Sequence, residues 1–512
     1  MSEVSKPVRK SAAANVLTVM SGTFSSRILG LLRQTLFSQF DTRLTDAFNV
    51  AYNIPNLFRE LLAEGALSNS IIPVYKKLEV PQRKDFIASF MAFLIFINAL
   101  VVTAGILLAP MFVDLMVATN SLSQGKSVLD VELAVFLTRL LMPFLAGISL
   151  SALAMGLLNA EERFGATAFA PLAFNLVTIL GLLVFPNNAL MLGVMTSLGG
   201  LAQLLVQLPS LRRFGLLVLP RFSWHQSLSR ALALMAPFAF TTSTRQFLTI
   251  ILTGLLAGFG AGTITGFRNA EIIFLTLQGL FALSPATAAY PRFSEYAAQK
   301  NWDAFRETVM QYARLVLFLS VGVGALLWAL APNMTSVIFE LPGKISDDKF
   351  NATLSLLPSF ALAIAPWGLV QLLTRAFYAR ERSRDAVIIS TIAFALNTFL
   401  YIALAPQGIV VMNFATAITG WLMVGVYVGV LHVQIGLNYK KLVGHTIKVG
   451  LAALGCFFAA QLVSSLLPSA RSALNGILHC VVAGGIAGVV YLLLCVLLRV
   501  PEVERLTRRL RR

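Results

Sequence analysis

Charge is scarce in this chain. Only 12% of its 512 residues are Asp, Glu, Lys or Arg, against roughly 25% in a soluble domain. So few charges cannot clothe a water-facing surface. The 57% hydrophobic content and mean hydropathy of +0.78 point instead to a polytopic membrane protein. Acids are the scarcer sign: 23 Asp+Glu against 40 Lys+Arg leave a net charge of +17. A basic balance can signal nucleic acid, but that needs a charged face on a soluble fold, so no nucleic-acid partner is expected. The three cysteines (Cys456, Cys480, Cys495) lie in late apolar segments without a CxxC or Cys/His cluster. No metal, haem or disulfide framework follows, and the thiols read as small buried hydrophobes. The four histidines (His225, His432, His445, His479) are scattered, and no Walker A run appears. The chain is not expected to be an enzyme or to carry a cofactor.

Long apolar runs are abundant. A bilayer-crossing helix needs about 20 largely apolar residues. Fourteen stretches qualify, at 13–40, 45–75, 86–115, 131–158, 165–185, 188–211, 231–258, 263–291, 307–330, 352–374, 386–405, 407–431, 449–467 and 474–498. The first follows Lys6, Arg9 and Lys10 without a clear small-residue cleavage site, so it reads as a retained helix. Breaker residues such as Pro186-Asn187-Asn188 and Pro406-Gln407-Gly408 separate spans. With the N-terminus placed in the cytoplasm, 28 Lys+Arg fall on that side. Five fall opposite: Arg43, Lys126, Lys344, Lys349 and Arg471. This bias predicts a cytoplasmic (inner) membrane protein with both termini inside. The arginines of the tail (Arg505, Arg508, Arg509, Arg511, Arg512) are suited to anionic headgroups.

Seven arginines remain within the spans: Arg27, Arg33, Arg59, Arg139, Arg245, Arg268 and Arg314. Charges at membrane depth are costly and mark a cavity or a partner. The two halves also echo one another. Arg163 and Arg382 are 219 apart, Asn175 and Asn397 are 222 apart, and Ala66-Leu67-Ser68 matches Ala282-Leu283-Ser284 at 216. Six spans separate each pair, which implies parallel repeats of the kind transporters use. The expected organisation is all-α, with two six-helix lobes and two added helices. Its segments are a cytoplasmic N-terminus (1–12), an N-lobe (13–213), a C-lobe (228–433), a final helix pair (443–499) and a basic tail (500–512). A cavity between two lobes is where a transporter would hold its substrate.

The first two spans are the most polar. Asp46, Asn49, Asn53, Asn56, Glu60 and Glu64 stay within an arc of about 80° at 100° per residue. Arg59 lies about 100° from the stripe's centre on an ideal helix, and Pro55 should bend the axis and change that angle. Gly30, between Arg27 and Arg33, allows local bending. One reading is a hydrated cationic wall. Arginine's planar fork suits phosphate, and the acids pair with the arginines or act as latches. The competing reading is salt bridges that stitch helices together. Arg139 and Arg314 lie nearer span ends and read as snorkelling. Arg245 lies near the middle of span 7, where snorkelling is harder. Arg268 and Glu271 read as a local i, i+3 ion pair. No conspicuous acid in spans 7, 11 or 12 suggests a cation site.

These residues resemble a known family. Ser26-Arg27-Ile28-Leu29-Gly30-Leu31-Leu32-Arg33 is similar to the SR-x-x-G-x-x-R opening of the MurJ (MviN) lipid II flippases. So are Asp46-Ala47-Phe48, Pro55-Asn56-Leu57-Phe58-Arg59, Ala63-Glu64-Gly65-Ala66-Leu67-Ser68 with Pro73-Val74, and Leu158-Asn159-Ala160 with Arg163-Phe164. The resemblance covers essentially the whole chain and is strongest over the first 180 residues. It implies the fold of the multidrug/oligosaccharidyl-lipid/polysaccharide exporter superfamily and alternating-access transport of lipid II to the outer leaflet. It also implies substrate-binding roles for Arg27, Arg33, Arg59 and Asn56, and polar cavity roles for Asp46 and Glu64. Spans 13 and 14 match the pair that forms a groove for the lipid tail. A further family arginine in span 8, with an acid three residues on, falls on Ile272 and Leu275 here. Arg268, one turn earlier on the same face, or Arg245 is the expected substitute. Glu60 and Glu271 complete the expected gating or ion-pair set. Expected partners are lipid II and membrane lipids, with cell-wall synthesis proteins a further candidate, and the chain is expected to be a monomer. The alternatives are a flippase for another polyprenyl-diphosphate glycan, a drug exporter, or a non-transporting wall-synthesis scaffold.

Overall fold

The computed structural model describes residues 12–62, 66–123, 128–223, 225–468 and 471–503. Backbone alone is described at 12–17, 19–20, 61–62, 66–70 and 236–245. Every regular element among the described residues is helical, and the helices divide between two compact units.

The first unit spans 1–118 and 129–250. It contains Ala12–Phe37 (α1), Thr42–Leu62 (α2), Ala66–Lys77 (α3), Val80–Leu107 (α4), Ala109–Val117 (α5), Val131–Ala160 (α6), Phe164–Val184 (α7), Ala189–Leu205 (α8) and Leu208–Arg213 (α9). It also takes the larger part of Gln226–Ala257 (α10). Local chemistry sets the helix starts. Asp130 caps α6 by accepting from the Leu133 amide at 3.0 Å, and Asn188 caps α8 by accepting from the Met191 amide at 3.0 Å. α6 is the hub of this unit. It buries Leu137, Leu141, Leu145 and Leu158 and packs against α2, α4 and α8. Gly147 lets α6 meet α8 closely, because a Cβ there would lie 2.6 Å from the Gly200 carbonyl carbon.

The second unit spans 119–128 and 251–512. Thr263–Gln278 (α11) and Ser284–Ala298 (α12) form one rod, joined by a π-helical turn at Gly279–Leu283. Trp302–Ala329 (α13), Ala331–Phe339 (α14), Asp347–Ala379 (α15), Ser383–Leu404 (α16), Ile409–Ile435 (α17), Tyr439–Ser465 (α18) and Ala473–Leu497 (α19) follow. α15 is the hub here. It packs against α11, α13 and α17, while α18 and α19 pair with each other beside α13.

If α2–α3 and α11–α12 are taken as single spans, and α5, α9 and α14 as short appendages, the order is consistent with the fourteen spans expected. Eleven of these, among the described residues, are long and apolar enough to cross a bilayer by themselves. The polar stripe removes α2–α3 from that group.

The halves share unusual local geometry. α4 and α13 each run 28 residues, and each leads through Leu-Ala-Pro (108–110 and 330–332) into a nine-residue helix. Glu162 and Glu381 both adopt left-handed backbone, at φ 57° and 59°. The following amides close the same turn, Arg163 onto Leu158 O at 2.8 Å and Arg382 onto Phe377 O at 3.0 Å. A non-glycine residue at positive φ is uncommon, so its recurrence at the matching position marks a structural repeat.

Two arginines differ from their sequence reading. Arg314 faces a carboxylate: its Nε lies 3.5 Å from Glu502 Oε1. Glu502 reaches it because the chain reverses after α19 at Arg499 (φ 53°), which buries Val500 and Val503. The expected span at 352–374 leaves Arg375 in the loop that follows. The arginine lies inside α15 instead, because buried Ala376 and Phe377 carry the helix on to Ala379.

Candidate functional site

α1 carries Arg27 and Arg33, and α2 carries Arg59. α1 lies against α7. The amide of Asn175 on α7 donates to the Ser26 carbonyl at 3.2 Å, fixing α1 one residue before Arg27. Arg27 itself is exposed, and no ion pair engages it among the described residues. Two turns on, the Arg33 guanidinium sits 5.1 Å from the Phe174 ring centroid. That cation–π contact holds the fork in place without neutralising it.

The stripe on α2 divides. Asp46 and Asn53 are buried, whereas Asn56, Arg59 and Glu60 are half-buried. Pro55 lies inside the helix just before this open stretch. Arg59 Nε donates to Asn56 Oδ1 at 2.9 Å, and Asn56 Nδ2 donates to Glu60 Oε1 at 3.4 Å. Gln246 on α10 donates to the other Glu60 oxygen. Arg59 therefore joins the polar stripe that an ideal helix would have turned it away from. Glu64 lies outside the described residues, and for Arg245 only the backbone, within α10, is described.

In the second unit Arg268 Nη1 lies 2.7 Å from Glu271 Oε2, with both side chains about 30% exposed (29% and 30%). This is the i, i+3 pair the sequence suggested. Ile272 is half-buried and Leu275 is exposed. Sequence reasoning missed two polar groups. Gln246 closes the Glu60 network, and its only signal was the polar run Thr241-Thr242-Ser243-Thr244-Arg245-Gln246 within an apolar span. Arg375 donates from Nη2 to Thr287 Oγ1 at 3.3 Å and from Nη1 to the Gln371 carbonyl at 3.1 Å, bridging α15 to α12. The second unit also carries an apolar groove of about 530 Å³, walled by Trp328 of α13, Leu362 of α15, Trp421 of α17 and Leu454 and Phe458 of α18.

The chemistry on offer is anion binding. The Arg33 fork is held by the Phe174 ring and the Arg59 fork by the Asn56 amide, which links it to Glu60. Among the described residues no group of three or more His, Cys, Asp or Glu is placed to hold a metal.

The fold resembles an inward-facing multidrug resistance MATE family transporter of the MOP superfamily, with TM-score 0.61, 15% identity, and coverage of 80% of this chain and 96% of that one. It resembles lipid II flippase MurJ in an inward closed conformation more fully, with TM-score 0.78, 21% identity, and coverage of 94% and 99%. The sequence matches the family described as lipid II flippase MurJ over residues 38–485. The chain belongs to the MurJ family of multi-span membrane transporters. Similar proteins include the lipid II flippase MurJ of Burkholderia cenocepacia, 29% identical over 411 residues, covering 76% of this chain and 78% of that protein. The probable lipid II flippase MurJ of Vibrio cholerae serotype O1 is 29% identical over 449 residues and 84% of each chain. That of Bdellovibrio bacteriovorus is 25% identical over 529 residues and 98% of each.

Proposed function

We propose that this protein flips lipid II, the undecaprenyl-diphosphate-linked peptidoglycan precursor, from the inner to the outer leaflet of the cytoplasmic membrane by alternating access. Both termini face the cytoplasm, and the working unit is a monomer. The observation that carries this reading is Arg27, an exposed cation without an ion-pair partner among the described residues, on a helix of a MurJ-family chain. A diphosphate supplies the counter-charge that a membrane-embedded guanidinium needs, through paired charge-assisted hydrogen bonds.

In this reading Arg27, Arg33 and Arg59 take the diphosphate, with Asn56 orienting Arg59. Glu60 and Glu64 compete for the same cations when substrate is absent, and the buried Asp46 fixes the start of the stripe. Arg245 and Arg268 contribute from beyond the first two spans. Arg268 is already balanced by Glu271, so the substrate must displace a carboxylate to use it. The polyprenyl tail lies in the apolar groove of the second unit. α18 forms one wall of that groove, and α19 contributes no lining residue. The lobes are 13–213 and 228–433, with 443–499 serving the tail and 500–512 resting on anionic headgroups. Partners are lipid II and bilayer lipids.

Arg27→Ala or Arg59→Ala should abolish growth rescue in a strain depleted of its own flippase, while the protein still reaches the membrane. Full rescue by both variants would contradict the assignment. A headgroup competition assay separates lipid II from other polyprenyl-diphosphate glycans.

A further inference from the structure

Arg139 is left unexplained by the site above. It is the ninth residue of α6, about 12 Å along the helix from Val131 at 1.5 Å per residue. It is exposed, and among the described residues no hydrogen bond or ion pair engages it. Snorkelling relieves part of the cost of such a charge by carrying it toward the headgroups, where a lipid phosphate can meet the guanidinium fork.

Arg139 stands at one end of a groove of about 410 Å³ between α6 and α8. The trough continues along Pro143, Gly147 and Leu150 on one side and Leu198, Leu201 and Leu204 on the other. Its depth comes from the close approach of Gly147 to Gly200. Apart from Arg139, Ser197 is the one polar side chain in the lining, and its hydroxyl already donates to the Leu140 carbonyl at 2.7 Å. From Arg139 to Leu150 the helix rises about 16 Å, close to half of a hydrocarbon core of about 30 Å. The trough therefore has the length of one leaflet, with one cation at its head and an apolar floor.

We propose that this groove binds one anionic glycerophospholipid, with its phosphate on Arg139 and one acyl chain laid along the α6–α8 trough. Charge complementarity selects the headgroup, since a lipid with net negative charge supplies the missing counter-ion and a zwitterionic one brings its own cation. The site lies wholly within the first unit and does not depend on lipid II being the transported substrate.

The test uses the purified full-length protein. Native mass spectrometry would compare retention of dioleoyl phosphatidylglycerol with dioleoyl phosphatidylcholine, which share their chains. Wild type should prefer the anionic lipid by about tenfold, the scale of one charge-assisted contact. Arg139→Gln should remove that preference, and Arg139→Lys should keep part of it. Ala146→Trp, which fills the trough, should lower retention of both lipids. Retained preference in Arg139→Gln, or unchanged retention in Ala146→Trp, overturns the proposal. So does preferential retention of undecaprenyl phosphate over phosphatidylglycerol at this site. Arg139 makes no contact that folding depends on, so a variant that unfolds also contradicts it.

Discussion

Replacing Arg471 by Ala should loosen the α18–α19 turn from the rest of the second unit. Arg471 Nε and Nη2 donate to Glu340 Oε1 at 2.9 and 2.6 Å, and Nη1 donates to Asp347 Oδ1 at 2.5 Å. The guanidinium carbon also stands 3.7 Å from the Phe350 ring centroid. Burial draws the Arg471 pKa down, but the bonds to Glu340 and Asp347 outweigh it and hold the pKa above its ordinary value. The two carboxylates are not equivalent. The Glu340 side chain is 4% exposed and that of Asp347 is 73% exposed. Removing the arginine strands Glu340 as a buried charge, which costs about 3 kcal/mol. The Asp347 arm is screened by water and contributes about 0.5 kcal/mol or less.

The loss should appear where Ser472 caps α19, since the Asn475 amide donates to Ser472 Oγ at 3.2 Å and the Gly476 amide to Ser472 O at 2.9 Å. At 1.36 kcal/mol per decade, hydrogen exchange at Asn475 and Gly476 should accelerate by about two decades in Arg471→Ala. In Asp347→Ala it should change by about threefold or less. Equal effects from both variants, or no effect from Arg471→Ala, would refute the burial argument.

Gly147→Val forces a branched side chain where a single Cβ already meets Gly200 at 2.6 Å. It should destabilise the first unit by about 1–3 kcal/mol and reduce the amount of folded protein recovered from membranes. Wild-type yield and melting would argue against that close packing. Glu502→Gln removes the carboxylate charge that lies 3.5 Å from Arg314 and 3.7 Å from His445. It should free the segment after Arg499 for proteolysis, through a loss of about 2–3 kcal/mol, and unchanged cleavage would rule out the clasp.

Patterns carried by one helix were legible in the sequence. The polar stripe of α2, the Arg268–Glu271 pair and the breakers that end helices all depend on residues within a few positions of one another. Contacts made by distant segments were not. Arg33 meets Phe174, Glu60 meets Gln246 and Arg314 meets Glu502 only after separate helices have packed. Arg375 escaped for a local reason. The apolar run thins just before it, and only the burial of Ala376 and Phe377 shows that the helix continues. The apolar groove of the second unit takes its walls from α13, α15, α17 and α18, which are distant in sequence. Long apolar helices carry no label for which lipid-like face will be left open.

Arginines of the first two spans are proposed to grip a lipid-linked diphosphate. The most direct measurement is lipid II translocation by the purified protein in liposomes, read as headgroup access from the opposite side. Wild type should translocate, and Arg27→Ala and Arg59→Ala should lose nearly all transport while inserting and folding normally. Wild-type translocation by both variants, or no translocation by correctly inserted wild type under any imposed gradient, would contradict the account.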